Sequence, residues 1–175
     1  MAIRWRRIEA IANDLLKQHS ISTAPIPVER IAKSQGVKVF YQSLKNDVCG
    51  FLYRDSNQTV IGINTHHPAV RQSFTAAHEL GHLLLHEQEQ LHVDHAFRVR
   101  LRDETSGQGT NEAEREANFF AASLLMPREF IEEDLSGETD IDLLDDDFLR
   151  VLAKKYGVST QALMNRLKNL GYFHD

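Results

Sequence analysis

The sequence predicts an α+β fold. A small, mostly antiparallel sheet packs on a buried HExxH helix, a second glutamate-bearing helix lies against that helix, and a helix-turn-helix-like pair closes the chain. Three observations carry this. Strand-like runs occur together at 37–44 (VKVFYQSL), 49–55 (CGFLYRD) and 59–64 (TVIGIN). Helical spacing of apolar residues precedes and follows them. The run from Pro68 to about Glu87 is too apolar for a surface helix, above all at Leu80 and Leu83 to Leu85.

Each element has a local reason. Residues 4–18 put Ile8, Ile11, Ala12, Leu15 and Leu16 on one helical face, with Arg and Lys on the other. A short helix from Val28 to Gln35 is stopped by Gly36. The second and third strand runs flank Ser56-Asn57-Gln58 and read as a hairpin. Asp103 to Thr110 is a loop by composition. Helix resumes at Glu112 and ends near Met126, because Pro127 disfavours helical geometry in the residue before it. Two short helices surround Gly157-Val158-Ser159, with Ser159 as N-cap. They bury Leu149, Leu152, Ala153, Tyr156, Val158, Ala162, Leu163 and Leu167. The expected organisation is one domain over 1–175, with 144–175 as a helical subregion.

Composition bounds the function. At 175 residues and 42% apolar, the chain can bury a core of one domain. Cys49 alone excludes an internal disulfide and a cysteine-held zinc. No run reaches the roughly 18 apolar residues of a membrane span, and Glu9, Asn13 and Asp14 interrupt any signal-peptide core. A cytoplasmic protein is the expectation. The net charge of −5 divides into +3 over residues 1–100 and −8 over 101–175. Such a balance disfavours extensive nucleic-acid binding. Nine acidic and no basic residues between Glu132 and Asp147 read as a solvated surface.

The informative segment is His78-Glu79-Leu80-Gly81-His82. On a helix, residues i and i+4 share a face about 6 Å apart along the axis. Two imidazoles so placed can converge on one cation. Glu79, on an adjacent face, can act as a base toward water without ligating the metal. Random placement of nine His and 13 Glu produces this spacing roughly 0.03 times per chain. The plain alternative is a buried helix whose histidines bond to neighbours. Against it stand the cost of burying unligated imidazoles and Gly81, which costs about 1 kcal/mol in a helix interior and calls for close packing.

A catalytic zinc needs a third protein ligand. The residue ten after His78 is Gln88, so a carboxylate from another helix is the candidate. The helix from 112 offers Glu112, Glu114 and Glu116. Glu114 continues the face of Ala117, Ala121, Leu124 and Leu125, and Asn118 lies on the same side, where it could orient a ligand imidazole. Glu116 is offset toward solvent. Asn111-x-x-Glu114 also reads as a capping box, which leaves Glu114 a second role.

The string RQSFTAAHELGHLLLH (71–86), followed by EREANFFAASLLMP (114–127), resembles the ImmA/IrrE family of metallopeptidases. PIPVERIAKSQGVKV (25–39), IGIN (61–64) and LAKKYGVSTQALMNRLKNLGY (152–172) extend the resemblance over most of the chain. It implies a thermolysin-like zincin with one zinc held by His78, His82 and Glu114, and Glu79 as general base. It further implies an endopeptidase whose protein substrate is a regulator, such as a transcriptional repressor of a mobile element or a stress response.

Other signals carry less. Tyr53, Arg71, His86, His92 and His95 are all candidates for stabilising an oxyanion, with nothing to choose between them. His86 is more distant from His78 and reads as an outer or surface residue. His66, His67, His92 and His95 read as solvated side chains, and Cys49 as a small buried hydrophobe. Thr160, Gln161 and Arg166 could face a DNA groove, but Asp145 to Asp147 lie just upstream. The alternative function is a zincin-fold regulatory module acting by protein or DNA contact without proteolysis.

Overall fold

The computed structural model describes residues 4–86, 91–95, 108–136 and 145–172. In chain order these form α1 (Trp5–Gln18), α2 (Val28–Ser34), β1 (Val37–Gln42), β2 (Val48–Arg54), β3 (Thr59–Asn64), α3 (Ala69–Leu85), β4 (Leu91–His95), α4 (Gln108–Leu125), α5 (Arg128–Ser136), α6 (Asp146–Tyr156) and α7 (Thr160–Leu170). The four strands make one sheet in the order β1-β3-β2-β4. β1 runs parallel to β3, while β2 pairs antiparallel with both β3 and β4. The sheet is thus mostly antiparallel. β4 is a strand that sequence patterning does not announce.

The hairpin between β2 and β3 is held by Asp55, whose Oδ1 accepts from the backbone N–H groups of Asn57 and Gln58 at 2.7 and 2.9 Å. Asn64, fully buried at the end of β3, fixes the turn into α3. Its Oδ1 accepts from the N–H of Leu44 and His66, and its Nδ2 donates to the carbonyls of Lys45 and Val48. These bonds satisfy loop groups that burial would otherwise leave unpaired, at about 1–3 kcal/mol each.

α3 is the centre of the molecule. Every residue from Thr75 to His82 is buried. One side of the helix meets the sheet: a Cβ on Gly50 of β2 would stand 2.5 Å from Thr75 Cγ2, so glycine permits the contact. The other side meets α4. Leu52, Ile61, Ile63, Leu80, Phe120, Ala121 and Leu124 form the core between these layers, each larger side chain contributing about 2 kcal/mol of burial.

α4 begins at Gln108, one turn before the expected Glu112, and residues 103–107 of the expected loop lie outside the described residues. Asn111 is therefore inside the helix by backbone position, which removes the capping-box reading of Glu114. α4 stops at Leu125, before Pro127, as the proline requires. Of the acidic stretch 132–147, residues 137–144 lie outside the described residues. Asp134 is no bystander: it accepts from Tyr156 Oη at 2.8 Å and pairs with Lys155, tying α5 to α6. Ser159 caps α7 by accepting from the Ala162 N–H, and left-handed Gly157 and Gly171 end α6 and α7. Arg166 of α7 is buried, donating to Met126 O at 3.0 Å and pairing with Glu9 of α1 at 2.8 Å. It cannot serve as the DNA-facing side chain that its position in the sequence allows. No helix among the described residues is long and apolar enough to cross a membrane.

Candidate metal centre

The approach of α4 to α3 is set by Gly81. A Cβ there would lie 3.0 Å from Phe120 Cδ1 and 3.2 Å from both Cα and O of Ala117. The helix-interior glycine thus has a packing reason: any side chain would hold the two backbones apart. Closing this gap carries Glu114, three residues before Ala117, to the face of α3 that presents His78 and His82.

His78 and His82 are buried, with their Nε2 atoms 3.1 Å apart. Glu114 Oε2 lies 3.6 Å from His78 Nε2, and its Oε1 lies 3.3 Å from His82 Nε2. Donor atoms of a tetrahedral cation bound at zinc distances stand about 3.3 Å apart, so the three separations suit one small divalent ion. The chemistry of the donors agrees. Burial pushes the His82 imidazole below its usual pKa, against the pull of Glu114 and with the charges of His92 and His86 adding to the fall. A neutral imidazole is the form that ligates a metal. His78, His82, His92 and Glu114 together offer four donor atoms within 4.8 Å of one another.

Glu79 is fully buried beside them. Burial raises its carboxyl to about 7, the charges of Asp94 and Glu114 adding to the rise and the hydrogen bond and charge of His92 opposing it. Its Oε2 accepts from His92 Nδ1 at 3.0 Å, while its Oε1 has no hydrogen-bond partner among the described residues. A carboxylate near neutrality with one free oxygen is suited to accept a proton and return it.

His92 corrects the sequence reading. It is not a solvated side chain: it lies in β4, its ring stacked on that of His82 with centroids 3.7 Å apart. Burial works against its charge, but hydrogen bonds to Glu114 and Glu79 overcome this and raise its pKa to about 10. β4 inverts the usual pattern. Leu91 and Val93 are exposed, whereas His92 and Asp94 are turned inward and half-buried. Asp94 brings a carboxylate oxygen within 4.8 Å of donor atoms on His78 and Glu79. The signal in the sequence was the polar alternation of LHVDH, legible only once a strand is placed there.

The remaining candidates divide. His86 packs its ring 5.2 Å from that of His82 and bonds to Glu116 at 3.0 Å. Glu116 is accordingly half-buried, no more a surface residue than Glu114. Asn118 is not brought to the cluster. It is exposed and lines a separate groove with Trp5, Arg115 and Phe119. Tyr53 is exposed and donates to Asp55, His66 is exposed against Ser43, and His67 reaches Val48 O. Arg71 is half-buried on the first turn of α3, and Cys49 in β2 is buried, as expected. His95 ends β4.

Comparison with known proteins places this geometry. A solved structure of similar fold is a Mycobacterium tuberculosis transcriptional regulator, with a TM-score of 0.63 at 15% sequence identity over 92% of this chain and 46% of that one. The chain spans less than half the length of that regulator, and the likeness is one of fold. No curated protein matches the sequence. The family model described as the IrrE N-terminal-like domain, a peptidase family, matches residues 32–168 and so takes in α3, β4 and α4. By that match the chain belongs to the family of IrrE N-terminal-like domain peptidases.

Proposed function

We propose that this chain is a zinc-dependent endopeptidase of the cytoplasm that hydrolyses a peptide bond in a regulatory protein, such as a transcriptional repressor governing a stress response or a mobile element. The observation that carries the reading is the convergence of His78, His82 and Glu114 beside the buried carboxylate of Glu79. The three side chains would hold the zinc. When bound, the ion supplies Lewis acidity, polarising the scissile carbonyl and acidifying the attacking water.

The chain's own residues do the rest. Glu79 takes a proton from water and returns it to the leaving amine, for which a carboxyl near neutrality is matched. His92, hydrogen-bonded to Glu79 Oε2, holds that carboxylate in place. β4 ends the sheet order, so an extended substrate can pair with its outer edge close to His92. Buried walls around His78 and Glu79 keep bulk water from competing.

The test is cleavage of a candidate repressor by metal-loaded protein, with Glu79→Gln alongside. The reading expects cleavage to fall by several orders of magnitude in the variant; cleavage at the original rate overturns the assignment of the base. A second reading, favoured by the regulator among structures of similar fold, is a module that acts by contact alone. It expects Glu79→Gln to keep full function in cells.

A further inference from the structure

On a face of α4 other than the one carrying Glu114, helices α1, α4 and α7, with Phe74 of α3 and Arg128 of α5, line a groove of about 710 Å³. Four arginines line it, Arg6, Arg115, Arg128 and Arg166, against one carboxylate, Glu9. That carboxylate is already engaged, 2.8 Å from Arg166 and 3.7 Å from Arg128. Arg6 and Arg115 are exposed and have no ion pair among the described residues. In a chain of net charge −5, this is a local surplus of positive charge in a concave site.

The polar lining has a spacing. Asn165 and Asn169 lie one turn apart along α7 and both line the groove, and Gln161, a turn earlier and outside the lining, donates its Nε2 to Asn165 Oδ1 at 3.1 Å. Amides on successive helical turns recur about every 6 Å. Alternate residues of an extended peptide recur about every 6.6 Å, so the Asn165 and Asn169 amides can meet main-chain groups in register. Asn118 adds an amide from α4. The aromatic groups do not offer a free stacking platform. Phe119 is in contact with Trp5, centroids 4.6 Å apart, and Arg166 lies 5.7 Å from its centroid. That favours a peptide over nucleic-acid bases.

We infer that this groove binds an extended acidic segment of a partner protein, its carboxylates on Arg6 and Arg115 and its backbone on the amides of α7 and α4. Bidentate arginine–carboxylate pairs give such a site selectivity for Asp and Glu over neutral residues. That the segment belongs to the substrate rests on the peptidase reading; the binding itself is measured apart from cleavage.

Trp5, the only tryptophan in the chain, reports on the groove. The full chain carrying Glu79→Gln is titrated with a ten-residue peptide of alternating Glu and Leu while Trp5 fluorescence is followed. The expected result is saturable binding that weakens at least tenfold when Arg6 and Arg115 are both replaced by alanine, and at least tenfold when the peptide's Glu residues become Gln. Asn165→Ala with Asn169→Ala weakens it independently, with the far-UV circular dichroism of both variants unchanged. Equal binding of the Gln peptide, tighter binding of a ten-nucleotide oligothymidylate, or a Trp5 signal that depends on protein concentration without peptide would each overturn the proposal. The last would assign the groove to a second copy of the chain. Loss of cleavage leaves this titration unaffected, and failure of the titration leaves the peptidase reading standing.

Discussion

His92 Nε2 lies 2.7 Å from Glu114 Oε1, so a strand at the sheet edge and a helix on the far side of α3 meet within the candidate metal centre. With Nδ1 on Glu79, the one imidazole joins the carboxylate expected to hold the metal and the carboxylate expected to act as base.

Replacement of His92 therefore separates two properties. With His78, His82 and Glu114 retained, His92→Ala keeps one equivalent of metal and loses about 10–100-fold in peptide hydrolysis, the range seen when an orienting partner is removed. His92→Gln, which keeps a donor, recovers part of the rate. Metal analysis of purified protein together with hydrolysis rates decides it. Loss of the metal with His92 would make His92 a ligand instead.

The contact of Gly81 with Ala117 predicts a second effect at a distance. Gly81→Ala raises intrinsic helix propensity, yet its Cβ meets backbone at 3.2 Å and must push α4 outward. The variant is expected to lose about 1–3 kcal/mol of stability and to bind metal more weakly, because Glu114 moves with α4. Denaturant unfolding and a metal titration measure the two losses. A more stable variant with unchanged metal affinity would show that the helices tolerate separation.

Tyr156 gives the pH dependence. Burial, the hydrogen bond to Asp134 and the nearby charges of Asp134 and Glu133 hold its phenol well above its usual pKa. The folded state thus favours the neutral form. Its contribution is fully present below about pH 10, the unfolded value, and is lost as pH rises above that. Tyr156→Phe costs about 1 kcal/mol at pH 8 through the missing hydrogen bond, and its stability declines less steeply above pH 10. Urea unfolding at pH 8 and 11 for both proteins checks the difference.

What could be read in advance follows from how local each signal is. The α3 histidines were legible because i and i+4 spacing is a property of one helix, and Glu114 because it continues the apolar face of α4. Gly81 was legible as a demand for close packing, although its partner, Ala117, was not. β4 escaped because its buried side chains are polar and its apolar ones exposed, the reverse of a core strand. His92 escaped with it. Asn118 lies four residues after Glu114, but α4 also packs on α1, and that side chain lines the groove shared with Trp5, Arg6 and Glu9 of α1. Arg166 looked like a surface base and is instead a buried tie between α7, α1 and Met126. Each of these depends on which elements become neighbours, and spacing along one element does not encode it.

The most direct test of the account is metal binding by substitution, which needs no substrate. The stripped chain is titrated with zinc by calorimetry, beside His78→Ala, Glu114→Ala and Glu79→Gln. The account predicts one equivalent bound by the parent chain and by Glu79→Gln, and affinity reduced at least 100-fold in the other two. Full zinc affinity in Glu114→Ala, or no zinc bound by the parent chain, would contradict it.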